Sequence, residues 1–346
     1  MKNKYTCNLP EEIEAKYREL FIKRLNYTFE KSNEIKLLKN VFLSNTGTIL
    51  HNFSIPINSA ENLIGFVDKN FFLKRWKLAF EQYIVCKYGK SLKLHKCSDD
   101  EIYFSIHTPW FGYFSWITTY LPRLLHAIKE VPECILLFPE EWINIKFVKE
   151  TMELIYPYKI HIIPKDHHSI IPQFNLIPCR KWTSHFDKQE LLTVKNLFYE
   201  KLNINENEIP CKKIYISRKK AARRKITNEV ELEIILKDQD FEIVCLEDLA
   251  LTEQIKLLSK SSIIISSHGA GLTNINFVKK NSHVIELTPI LSDFKKFRFP
   301  FWRMASLLEL NYCCLFCDRT NLKTDEYESD IHINLKELSN LLEKII

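Results

Sequence analysis

Three consecutive isoleucines, Ile263-Ile264-Ile265, run into Ser266-Ser267-His268-Gly269-Ala270-Gly271-Leu272-Thr273-Asn274, and no other stretch restricts the fold as strongly. β-branched residues with no polar alternate describe a strand covered on both faces, as in the centre of a parallel sheet. Gly269, Ala270 and Gly271 then let the backbone turn sharply and approach another group closely. Thr273 and Asn274 suit the start of a helix. A strand, a glycine turn and a helix N-terminus offer N–H groups and a dipole to a phosphate. The same residues also make an ordinary strand-to-helix connection, because their spacing matches neither the dinucleotide fingerprint nor the phosphate loop.

The surrounding chain repeats this alternation. Lys212–Arg218 reads as a strand ending in Ser217-Arg218, and Asn228-Glu229 opens a helix through Leu236. Phe241–Cys245, Ser261–Ser267 and Val284–Pro289 read as further strands, with a helix over Leu251–Leu258 and another over Asp187–Leu202. In the first half, residues 10–31 read as one helix carrying the apolar stripe Ile13, Tyr17, Leu20, Phe21 and Leu25. Val41–Leu43 and Thr48–Leu50 flank Asn45-Thr46-Gly47, a hairpin signal. Residues 61–95 are mixed, and Ile102–Ile106 is a strand ending at His107-Thr108-Pro109. After the aromatic run from Trp110 to Trp116, a helix from about Ser115 to Lys129 meets Pro122. Cys134–Pro139 and Tyr158–Ile163 are strands around a helix over 141–156. The three prolines of Pro164–Pro178 mark a linker, and Asp166-His167-His168 fits a solvated loop better than a metal site.

Two β–α–β–α–β halves predict an α/β protein of two doubly wound domains, residues 1–170 and 171–346, with ligand at the carboxyl ends of the strands. A length of 346 residues suits two domains. The net charge of +6 is mild and fits an anionic substrate or a membrane surface without requiring either. Met1–Leu20 carries no signal-peptide pattern, and no apolar run reaches the roughly 18–20 residues that span a bilayer. Ten scattered cysteines read as reduced thiols, and the cluster Cys313, Cys314 and Cys317 lacks the partners of a metal set. No metal is expected.

Three strand ends in the second half bring compatible chemistry together. Ser217-Arg218 supplies a guanidinium, His268–Gly271 a helix N-terminus, and Glu286 a carboxylate. The first two suit a diphosphate, and the third suits ribose hydroxyls as in dinucleotide folds. The alternative is a rim ion pair between Arg218 and Glu286. The basic run Arg218–Lys225 has a nucleic-acid reading, weakened by the lack of interleaved aromatics.

Tyr215-Ile216-Ser217-Arg218 with Arg223-Arg224 and Asn228-Glu229, Glu247-Asp248-Leu249 with Glu253-Gln254, His268–Asn274 and Val284–Leu287 resemble the core of glycosyltransferase family 61. Asn40–Leu43 with Gly47, Gly112–Trp116 with Leu121–Leu124, and Phe301–Ala305 resemble other segments of that family more loosely. The resemblance implies a GT-B-like fold of two Rossmann-like domains facing across a cleft, with an N-terminal acceptor-side domain. The C-terminal domain would bind the nucleotide-sugar, and the last helix has room to pack back on the first. It implies an inverting, cytoplasmic glycosyltransferase using a nucleotide-diphosphate sugar, a UDP-sugar by preference, as co-substrate without an obligatory metal or other cofactor. The acceptor would be a glycan or lipid-linked glycan in surface or secreted polysaccharide synthesis, with peripheral membrane association left open and no nucleic acid. Ser217, Arg218, Arg223, His268, Gly269, Ala270, Gly271, Leu272, Thr273 and Asn274 would hold the donor, and Glu286 its ribose. The family commonly has His and an acid where this chain has Ser115 and Thr119, neither a base at neutral pH. His107 or Asp99-Asp100-Glu101 are the replacements, so His107 and Thr119 are the catalytic candidates. A protein that keeps the nucleotide pocket without turnover is the competing reading.

Overall fold

The computed structural model describes residues 2–32, 34–56, 69–89, 93–108, 111–155, 158–180, 184–293, 299–321 and 325–346. Pro109 and Trp110 lie outside the described residues, as do residues 61–68 and 90–92 of the mixed stretch. Two compact units emerge, one of Met1–Asn3 and Thr28–His185, the other of Lys4–Tyr27 and Phe186–Ile346.

The chain begins with β1 (Lys2–Thr6), α1 (Ala15–Ile22) and β2 (Asn26–Glu30). The single helix expected over 10–31 is therefore cut short. Asn26–Glu30 buries Tyr27 and Phe29 at every second position, so the period of 2 wins over the helical stripe. Within the second unit, α1 stacks Tyr17 on Phe316 at 3.8 Å and sets Phe21 edge-on to Phe299 and Trp302.

The first unit continues with β3 (Lys36–Leu43), β4 (Ile49–Leu50), α2 (Lys69–Tyr88), β5 (Leu94–Lys96) and β6 (Tyr103–Phe104). Then come α3 (Tyr113–Ser115), a π-helical turn (Trp116–Tyr120), α4 (Leu121–Glu130), β7 (Ile135–Pro139), α5 (Glu140–Ile143), α6 (Lys146–Ile155), β8 (Ile160–Ile163) and β9 (His168–Leu176). Its sheet runs β4-β3-β9-β6-β7-β8, with β5 also on β9. β9, β6, β7 and β8 are parallel, and β3 is antiparallel to β9. Val41, Leu43, Leu137, Ile171 and Phe174 meet in one core. The stretch expected as a linker is thus the strand β9. Its ladder with β3 pairs Lys39 with Gln173 and Val41 with Ile171, but omits the position between. Pro172 stands there without an N–H to give, and Asn40 opposite takes φ +53°.

Two arginines pin this unit's interior. Pro122 cannot return a hydrogen bond to the carbonyl of Thr118, and the buried Arg180 donates to that oxygen from Nη1 at 2.7 Å. The π-helical turn thereby absorbs the proline instead of ending the helix. Buried Arg123 donates to the carbonyls of Ile106 at 2.8 Å and Ile177 at 2.9 Å.

The second unit contains α7 (Lys188–Lys201), β10 (Lys212–Ile216), α8 (Glu229–Lys237), β11 (Phe241–Val244), a 3-10 turn (Leu246–Asp248) and α9 (Leu251–Leu258). β12 (Ser261–Ser267), a 3-10 helix (Ala270–Phe277), β13 (His283–Pro289), α10 (Pro300–Leu307), β14 (Asn311–Arg319), β15 (Ile331–His332) and α11 (Leu335–Ile345) follow. The sheet order is β11-β10-β12-β13-β14-β15. The first five strands are parallel and only β15 is antiparallel. Tyr215, Ile265, Ile285 and Cys313 align across the central strands and join Leu232, Leu236, Leu338 and Leu342 in one core.

The expected hairpin forms, with Phe42 opposite Leu50 and Gly47 at φ +80°. A methyl group at Gly47 would lie 2.8 Å from the His107 ring and 2.9 Å from its carbonyl carbon. Gly47→Ala combines a left-handed backbone with that overlap and should lower unfolding free energy by at least about 2 kcal/mol, measured by urea denaturation.

Candidate active site

The strand order places a crevice in the second unit. The chain leaves β10 to build β11 on one side and returns to build β12 on the other. Strand order reverses between β10 and β12, and the carboxyl edge at such a point is where open α/β sheets bind ligands. Ser217-Arg218 follows β10 and His268-Gly269 follows β12, so both lie at this edge.

Gly269 leaves the space that Arg218 fills. An added methyl group there would overlap Nη1 of Arg218 and come within 3.2 Å of its Cζ. Arg218 also donates from Nη2 to the Arg223 carbonyl at 3.1 Å. Arg224 turns toward the same place. Its Nη1 donates to the His268 carbonyl at 3.3 Å, and its backbone sits at φ +60°. Ser267 Oγ, donating to the Arg224 carbonyl at 3.3 Å, holds that unfavourable backbone. Nε of both Arg218 and Arg224 is buried with no protein partner. Burial depresses both guanidinium pKa values from the ordinary range, and for Arg224 the Arg218 charge acts in the same direction. Two adjacent cations with unsatisfied donors form a site for an anion.

Arg223, expected among the donor-binding residues, is exposed and pairs with Glu328 at 2.7 Å. Arg224 takes the inward position, which an Arg-Arg pair in sequence does not reveal. Ser217 is buried, donating to Glu229 at 2.7 Å, and Tyr215 donates to the same carboxylate oxygen at 2.7 Å. Glu229 therefore ties the end of β10 to the start of α8. Leu272, Thr273 and Asn274 are buried in the 3-10 helix, and Ala270 and Gly271 are at its exposed start. Asn274 donates to Gln254 Oε1 at 3.2 Å, and Gln254 donates to the carbonyls of Leu246 and Leu249. That chain of bonds fixes the loop after β11 beside the glycine turn. Thr273 Oγ1 is buried without a partner.

Glu286 departs from its expected place. β13 runs on to Pro289, so Glu286 lies within the strand and is buried. One carboxylate oxygen meets His268 Nδ1 and the other accepts from Tyr312 at 2.5 Å. Each oxygen already faces one partner, and the side chain is buried. The Tyr312 phenol is held far above its usual pKa, first by burial, and stays a donor. The His268 ring lies between Phe301 and Tyr327, at 5.3 and 5.6 Å between centroids.

The catalytic candidates of the first unit are buried. His107 packs edge-on against Trp142 at 4.8 Å, and burial, then the Arg123 charge, pushes its pKa down to about 3. A ring that resists protonation so strongly is a poor proton acceptor at neutral pH. Thr119 Oγ1 accepts from Arg180 at 2.8 Å on the π-helical turn. Asp99-Asp100-Glu101 precedes β6 and so stands at the amino edge of the parallel strands, with Glu101 accepting from Tyr103 at 2.6 Å. Sequence reasoning passed over Glu140 and Glu141, exposed carboxylates at the carboxyl end of β7. Among the described residues, no three His, Cys, Asp or Glu side chains are placed to hold a metal ion.

A model of glycosyltransferase family 61 matches residues 113–285, half of the chain, and spans Arg218, Arg224 and the glycine turn. The chain belongs to glycosyltransferase family 61. It is also similar to proteins named protein O-linked-mannose β-1,4-N-acetylglucosaminyltransferase 2. That of Pan troglodytes is 36% identical over 95 residues, 26% of this chain and 16% of that protein. That of Homo sapiens is 35% identical over 95 residues, with the same shares of 26% and 16%. That of Xenopus laevis is 30% identical over 122 residues, 34% of this chain and 20% of that protein. The matched stretches thus span a fifth or less of those relatives.

Two substitutions test the assignments made from geometry. Glu286→Ala strands the buried Tyr312 hydroxyl and should cost about 1–3 kcal/mol of unfolding free energy. A carboxylate idle until ribose binds would cost less than about 0.5 kcal/mol. His107, with its folded pKa below the ordinary value, favours the native state fully above about pH 6.5. That contribution is lost as pH falls from there toward its folded value of about 3, because the unfolded chain takes the proton first. Urea titrations between those limits should show a flatter pH dependence for His107→Gln than for the wild type.

Proposed function

We propose that this protein transfers a sugar from a nucleotide-diphosphate donor, a UDP-sugar by preference, to a glycan acceptor with inversion at the anomeric carbon. The observation that carries the reading is the pair Arg218 and Arg224, with both Nε atoms unpartnered, at the strand-order reversal beside Gly269. Guanidinium forks match the paired oxygens of a diphosphate, and the glycine lets backbone and ligand come close. Membership of family 61 supplies the sugar donor and the glycan acceptor. The relatives' names put N-acetylglucosamine first among the sugars to test. In this proposal the two units are the domains of a GT-B enzyme, the second taking the donor and the first the acceptor. The reaction proceeds without an obligatory metal in the cytoplasm, within surface or secreted polysaccharide synthesis on free or lipid-linked glycans.

A second reading, nucleotide binding without turnover, draws on the burial of His107 and the engagement of Thr119 with Arg180. Nucleic-acid binding through 218–225 is disfavoured. Lys219 pairs with Glu233, Lys220 with Asp248 and Arg223 with Glu328, so much of that charge is already answered within the unit.

Calorimetric titration with UDP, GDP and their sugar conjugates tests the pocket. Arg218→Ala and Arg224→Ala each remove a charge-assisted bond and should weaken binding by about 10- to 150-fold, or 1.5–3 kcal/mol. Gly269→Ala displaces the flexible end of Arg218 and should weaken binding comparably while leaving the melting temperature nearly unchanged. Equal affinity of wild type and Arg218→Ala for every nucleotide would refute the pocket. Sugar transfer that survives EDTA would support metal independence, and binding without transfer across donors and glycans would favour the second reading.

A further inference from the structure

We infer that Tyr312 and Glu286 are positioning residues that fix His268 so that its Nε2 donates a hydrogen bond to the donor diphosphate. The inference rests on the nucleotide pocket proposed above and adds what sets the orientation of one of its groups.

The orientation follows from four constraints. The His268 backbone N–H donates to the Leu287 carbonyl at 2.8 Å, which anchors the residue at the end of β12 against β13. Nδ1 meets one oxygen of Glu286. The other oxygen accepts from Tyr312 at 2.5 Å, so the carboxylate cannot turn away without stranding a buried hydroxyl. Phe301 and Tyr327 flank the ring. Nε2 has no hydrogen-bond partner among the described residues. Gly269, the next residue, is the one against which Arg218 lies.

Hydrogen-bond chemistry then gives each ring nitrogen its role. A carboxylate oxygen faces Nδ1 and accepts, so Nδ1 donates. A phosphate oxygen also only accepts, so Nε2 donates to it in the complex. The charged or titratable groups around the ring are Glu286 on β13, Tyr312 on β14, Arg224 at the His268 carbonyl, Arg218 against Gly269, and Tyr327.

Two measurements test this on the full chain. Imidazole nitrogen NMR of the unliganded protein should place the His268 proton on Nδ1, and a ring protonated on Nε2 alone would overturn the inference. Calorimetry with UDP and with uridine then compares affinities. His268→Ala should bind UDP about tenfold more weakly than the wild type and uridine equally well. His268→Gln, whose amide still donates, should recover part of that loss. Tyr312→Phe should weaken UDP binding less than His268→Ala and spread the ring proton over both nitrogens in the spectrum, and circular dichroism verifies that each variant folds. Equal UDP affinity of His268→Ala and the wild type, with Arg218→Ala impaired, overturns this inference and leaves the pocket standing. No nucleotide bound by the wild type overturns both.

Discussion

The placement of one guanidinium against one glycine organises the second unit. Arg218 lies just beyond β10, the first strand of this sheet in chain order, and Gly269 just beyond β12 beside it, and any side chain at Gly269 would occupy the position of Nη1. This contact depends on the strand order, because only adjacent parallel strands bring two carboxyl ends so close. It also explains the neighbouring bonds. Ser267 holds Arg224 in a left-handed backbone so that a second guanidinium reaches the same edge, and Gln254 ties the loop after β11 to the glycine turn. The edge thus keeps two like charges together, with Glu247 and Glu328 close enough to offset part of their repulsion.

Buried carboxylates do the fixing in this unit. Glu229 receives Tyr215 of β10 and Ser217, which follows that strand. Glu286 receives Tyr312 and His268 from the strands on either side of β13. Each carboxylate has two donors, which is what makes a buried anion tolerable. The first unit uses the opposite device. Its buried charges among the described residues are Arg123 and Arg180, whose Nη atoms donate to carbonyl and hydroxyl oxygens rather than to acids.

Much of the second sheet was legible in the sequence because period and punctuation agree there. The isoleucine run of β12, the Ser-Arg that ends β10 and the glycine turn are local signals, and each has a local meaning. The misreadings share a different cause. Residues 10–31 carry a helical stripe, yet Asn26–Glu30 finds more burial in alternation. Three prolines suggested a linker, but Pro172 is accommodated by a single omitted pair opposite Asn40. Glu286 looked like a strand-end ligand because Tyr312, which claims its second oxygen, comes from the next strand of the sheet, beyond α10. Partners that far along the chain leave no mark on the spacing around the residue they hold.

The same contrast bears on the first unit taken by itself. A general base needs an ionisable group that meets solvent or substrate and whose proton affinity suits neutral pH. In the first unit His107 is neutral because it is enclosed, and its enclosure is secured by Gly47 on one side and Trp142 on another. Thr119 is an acceptor for Arg180, which in turn relieves the carbonyl that Pro122 leaves unpaired. Thr119 therefore belongs to the packing of the π-helical turn, and exchanging it for a base would disturb that packing before it supplied chemistry. The acidic groups that do stand at the carboxyl edge of this sheet, Glu140 and Glu141, begin α5 after the wholly buried strand β7. The part of the family pattern that this chain keeps is the glycine turn with the arginines beside it, where the geometry depends on glycine and strand order. At Thr119, where it departs from that pattern, the side chain is held by Arg180.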